Sequence, residues 1–66
     1  MQNTKYKVVE LTIVTEESLE ECLNHWTGEG WFFDGIHFVV REGSRRPTMA
    51  FVTFIREALE TEADHV

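Results

Sequence analysis

The sequence predicts a small α+β domain of β-α-β-β order: a three-stranded antiparallel sheet, strand order 2-3-1, with one helix on one face. Three observations carry that reading. Leu19, Cys22, Leu23 and Trp26 recur at i, i+3, i+4 and i+7, the apolar stripe of a single helix. Residues 4–14, 31–42 and 48–56 are rich in β-branched and aromatic residues, the composition of strands. Residues 43–47 hold Gly43, Ser44 and Pro47, turn formers that make the last two strands a hairpin. The helix crossover makes strands one and two parallel, so the third fits between them, antiparallel to both. A right-handed crossover is expected.

The first strand puts Val9, Leu11 and Ile13 on one parity, read as the core side, and Tyr6 and Val8, then Glu10 and Thr12, on the other. Thr15 is the expected helix N-cap, its hydroxyl meeting a free backbone N–H of the first turn. Glu16 and Glu17 follow where the helix dipole favours negative charge. Glu17, Glu20, Glu21 and Asn24 occupy the outer helix face. Gly28 is the expected left-handed residue that closes the helix. In the second strand the alternation of Trp31 and Phe33 is out of phase with that of Ile36, Phe38 and Val40. A β-bulge at Asp34-Gly35 is the expected device: it resets the parity and turns all five toward the helix, whereas without it Phe32, Ile36, Phe38 and Val40 share a face and Trp31 and Phe33 point away. The third strand is apolar on both parities, with Met49, Phe51 and Ile55 against Ala50, Val52 and Phe54, as expected of a central strand covered on both sides.

Sixty-six residues make one domain, 1–66, with an ordered core over 4–56 and an acidic tail, or a short helix around Ala58 and Leu59, over 57–66. At this size folding hides only about 60% of the unfolded chain's surface. Ordering costs about 1.5 kcal/mol per residue, so the balance sits near zero without a disulfide, a metal or a partner subunit. Cys22 is the single cysteine, which rules out an internal disulfide and fits a reducing compartment. There is no apolar run long enough to span a membrane and no basic-then-apolar leader pattern, so a cytoplasmic location is expected.

Twelve acidic residues against six basic ones give a net charge of −6, which disfavours polyanionic partners such as nucleic acid or an anionic membrane. The charge is uneven. Residues 15–30 hold five acids and no base, whereas residues 41–56 hold four arginines and one glutamate.

One helix of ten to twelve residues shelters one face of such a sheet. The other face retains Tyr6, Val8, Phe32, His37 and Val39, a larger apolar surface than a monomer ordinarily leaves wet. The expected partner is therefore a second copy, in a two-fold dimer that stacks bare sheet faces or extends the sheet edge to edge.

Tyr6-Lys7-Val8-Val9 in the first strand, Leu23-Asn24 late in the helix, Gly28-Glu29-Gly30-Trp31 at its exit and Phe54-Ile55-Arg56 closing the last strand resemble a family of very short bacterial proteins known only as a domain of unknown function. The resemblance spans residues 4–56. It implies the same element order and a bacterial cytoplasmic setting, and it carries no activity. Trp26 and the pair Phe32-Phe33 stand where that family has more polar residues.

No catalytic, cofactor or metal site emerges from the residue types. Cys22 and His25 have helical i, i+3 spacing, but zinc needs three or four ligands and no second ligand pair accompanies them. Cys22 lies on the apolar stripe of an acidic helix, unlike the electropositive setting that activates a thiol. Glu16, Glu17, Glu20 and Glu21 form a solvated run. Trp26 and Trp31 read as core rather than as a ligand box. Arg41, Arg45 and Arg46 on the hairpin, with Arg56 nearby in sequence, are the basic candidates. Together with Phe32 and His37 as stacking platforms they give the alternative of a nucleic-acid-binding module. The plainer reading pairs Arg41 and Arg56 with Glu42 and Glu57. The expected function is a self-associating protein-interaction module, acting on itself or on another protein. A ligand or enzyme site formed between subunits is the remaining alternative.

Overall fold

The computed structural model describes residues 3–58. Its order is β1 (Asn3–Leu11), α1 (Glu16–Gly28), β2 (Phe32–Val39) and β3 (Met49–Ala58). Both β1 and β2 pair antiparallel with β3, giving the sheet order β1-β3-β2 and leaving two edges. The predicted α+β class and strand order are therefore those of the molecule.

The sheet register sorts the side chains into two faces. Val9 lies opposite Val52, Leu11 opposite Ala50 and Lys7 opposite Phe54 on the β1 side. Phe33, Ile36 and Phe38 lie opposite Phe54, Val52 and Ala50 on the β2 side. Ala50, Val52 and Phe54 are fully buried, and Val52 and Phe54 form the core cluster with Cys22 of α1. Val9, Leu11, Leu23, Trp26 and Trp31 pack around that cluster. This is the helix side. The bulge occurs where the parity conflict predicts it: pairing with β3 steps from Phe33 to Gly35, and Asp34 is the extra residue.

Thr15 caps α1 through a capping box. The Ser18 N–H donates to Thr15 Oγ1 at 3.1 Å, and the Thr15 N–H donates to Ser18 Oγ at 3.0 Å. The C-terminus departs from the sequence reading. Gly28 is the last helical residue, Glu29 is the C-cap, and the left-handed residue is Gly30 with φ +96°. The Gly30 N–H donates to the Thr27 carbonyl and the Trp31 N–H to the Trp26 carbonyl, the two bonds of a Schellman motif. That motif prefers an apolar residue just after the glycine. Trp31 satisfies this after Gly30, whereas Glu29 would not after Gly28.

The element ends also differ. β1 stops at Leu11, so Ile13 is a mostly exposed loop residue rather than part of the core face. Its carbonyl accepts the Ser18 hydroxyl, which ties the loop to the helix cap. Trp31 precedes β2, and Val40 follows it in the connection to β3. Ala58 is in β3, not in a helix, and Leu59 with the rest of the tail lies outside the described residues.

Candidate interaction surface

The alternation of β1, β2 and β3 places Tyr6, Val8, Phe32, His37 and Val39 together on the side of the sheet away from α1. Tyr6 and Phe32 flank Ile55 from opposite edges, Val8 sits opposite Thr53, His37 opposite Phe51 and Val39 opposite Met49. All five predicted residues thus share one continuous face, and Met49, Phe51, Thr53 and Ile55 of the central strand form its middle. Tyr6, Val8 and Phe32 are 67%, 62% and 69% exposed. Three acids also lie on this side: Glu57 beside Thr4 at one end, Glu10 beside Phe51, and the bulge residue Asp34, which with Gly35 stands against Thr53. Among the described residues of one chain, α1 covers β3 on one side alone. Met49, Phe51 and Ile55 are only half-buried, by their neighbours within the sheet.

The helix side is incompletely covered as well. Phe33, Ile36 and Phe38 point to the same side as α1, as the bulge requires, yet they remain 50%, 36% and 41% exposed. Facing the helix is therefore not the same as being covered by it. The stripe of a single helix reaches the central strand and leaves the outer edge of β2 in water.

The two tryptophans belong to the core rim. Lys7 Nζ lies 4.2 Å from the Trp26 ring centre and 5.5 Å from that of Trp31, and the Arg56 guanidinium lies 4.5 Å from Trp31. Two half-buried cations thus close the end of the core by setting their charged heads over indole faces. His25 meets Trp26 edge-on at 4.6 Å. Arg56 accordingly does not pair with Glu57, which alternates to the other side of β3. Nor does Arg56 join the hairpin arginines. Arg41, Arg45 and Arg46 are exposed in the β2–β3 connection at the opposite end of β3, roughly 25 Å away at about 3.3 Å per residue. Within that connection Ser44 donates its N–H to the Arg41 carbonyl and its hydroxyl to the Arg46 carbonyl, and Gly43 takes φ +86°.

A shallow groove of about 290 Å³ between β1 and α1 is lined by Val9, Leu11, Cys22 and Trp26, with Ser18, Glu21 and His25 at its rim. It is the nearest thing to a reactive pocket, and its thiol is poorly suited to chemistry. Cys22 is 7% exposed, and burial pushes its pKa up, so the neutral form dominates at neutral pH. Among the described residues no group of three or more His, Cys, Asp or Glu side chains converges on a point that would hold a metal ion. No helix of the described residues is long and apolar enough to cross a membrane.

No family model matches the chain, and neither a curated protein nor a solved structure shows significant similarity to it.

Proposed function

We propose that this protein is a self-associating interaction module without catalytic activity, and that its helix-free sheet face meets a second copy. The observation that carries this reading is the exposure of Tyr6, Val8 and Phe32 on the helix-free side of the sheet, around the half-buried Phe51 and Ile55 of the central strand. Exposed apolar area of this extent costs roughly 25 cal/mol per Å² relative to burial. A domain this small has little stability to set against that cost. A two-fold rotation lays this face on its own copy, so that Tyr6, Val8 and Phe32 meet the apolar side chains of the same face on the partner. The single thiol fits a reducing setting such as the bacterial cytoplasm.

Light scattering coupled to size exclusion at micromolar concentration tests the reading. The wild type is expected to run as an assembly, and Val8→Lys, which sets a charge in the middle of the β1 part of the face, is expected to reduce its mass. A wild-type monomer with a sharp thermal transition would sink the proposal.

A further inference from the structure

The β2 strand is uncovered on both sides of the sheet at once. Phe33, Ile36 and Phe38 are open to water on the helix side, and Phe32 and His37 on the other. A copy stacked on the helix-free face covers only one of these sides. An occupant that covers both must lie in the plane of the sheet. A strand does so, because its side chains alternate above and below that plane.

Among the described residues the sheet has two free edges, and they are not equivalent. β1 carries Lys5, Lys7 and Glu10, charges of the kind that keep an edge from accepting another strand. β2 carries no lysine, arginine, glutamate or proline. Its one charged residue, Asp34, is in the bulge, outside residues 36–39. The bulge-free half of β2 is thus an edge without a charged guard, with Ile36 and Phe38 on the helix side and His37 and Val39 on the other.

Area points the same way. Three strands about 4.8 Å apart and about 30 Å long project a face of roughly 450 Å². A standard interface buries about 800 Å² per partner. Joining two sheets through β2 doubles the continuous face to roughly 900 Å² and brings the stacked contact into that class.

We propose that β2 pairs antiparallel with β2 of a second copy within its bulge-free half, residues 36–39, about a two-fold axis that is perpendicular to the sheet and passes at Phe38, so that Phe38 meets its own copy and His37 stands opposite Val39 of the same face. The product is a six-stranded sheet with both helices on one side. This deepens the self-association reading and rests on it. The edge axis is perpendicular to the sheet and the stacking axis lies parallel to it. Where they intersect they close a tetramer of two stacked six-stranded sheets, whose remaining edges are the charged β1 strands.

Native mass spectrometry and light scattering decide it, with far-UV circular dichroism as the check on folding. The wild type is expected at four times the 7.7 kDa chain mass. Phe38→Lys, at the edge, and Val8→Lys, on the stacking face, are each expected to halve that mass, and the double variant to give a single chain. If Phe38→Lys folds and keeps the wild-type mass, the edge pairing is overturned. If Phe38→Lys lowers the mass and Val8→Lys does not, the edge stands and the stacking face fails. Hydrogen exchange in the unmodified protein gives an independent reading. Slow exchange of all amides in residues 36–39 supports edge pairing. Fast exchange at alternate amides, the pattern of a strand bonded on one side only, overturns it.

Discussion

Two glycines two residues apart at the helix exit respond oppositely to the same substitution, and the difference follows from their geometry. Gly28 is helical, and a Cβ added there would meet no atom within 4 Å. Glycine inside a helix is less favourable than alanine by about 0.8–1.0 kcal/mol. Gly28→Ala, at the last helical position, is therefore expected to stabilise by about 0.5 kcal/mol. Gly30 also has free space for a Cβ, but its φ is +96°. An L-residue held in such a conformation costs on the order of 1–3 kcal/mol. The backbone cannot relax cheaply, because the Trp31 N–H bond to the Trp26 carbonyl at 3.0 Å depends on that turn. Gly30→Ala is expected to destabilise by about 2 kcal/mol. In a domain of this size each kcal/mol moves the melting temperature by about 4–8 °C. Melts at one fixed protein concentration, needed because association makes Tm concentration-dependent, should separate the variants by more than 10 °C. Equal melting temperatures, or a Gly28→Ala protein less stable than Gly30→Ala, would refute the assignment of Gly30 as the left-handed cap.

Trp31→Ala removes a partly buried indole from the rim of the core and leaves Arg56 with nothing to stack on. A loss of about 3 kcal/mol, the low end for a large buried aromatic, should appear in urea unfolding. A near-wild-type transition would show that Trp31 contributes little to packing. Cys22 has its pKa raised above the ordinary 9.0 by burial, so its contribution to stability is fully present below pH 9 and is lost as pH rises through the folded value. Alkylation of the native protein at pH 8 should be slow and should accelerate on unfolding, and rapid native labelling would contradict the burial. The hairpin arginines, isolated from Arg56 in a chain of charge −6, should give no salt-sensitive retention on a mixed DNA or RNA matrix in low salt. Such retention would revive the nucleic-acid reading.

Periodicity alone determined the number, type and order of the elements in this chain. The stripe at Leu19, Cys22, Leu23 and Trp26, the Thr15 cap and the phase break at Asp34-Gly35 are local patterns. Backbone geometry translates them directly, since a helix repeats every 3.6 residues and a strand every two. The five residues of the helix-free face were legible for the same reason. Once the bulge is placed, alternation assigns every β2 side chain to a side. Gly30 was legible too, had the apolar residue after it been weighed against the acidic one after Gly28. The tertiary structure decided what depends on width and distance across the sheet. A helix stripe reaches only as far as its side chains, so Phe33, Ile36 and Phe38 face α1 and still meet water. Lys7 and Arg56 come from different strands, and only their cross-strand placement brings both onto the tryptophans. The same strand length that delivers Arg56 to Trp31 carries it away from Arg41, Arg45 and Arg46, because neighbours in sequence at opposite ends of a strand do not form a cluster in space.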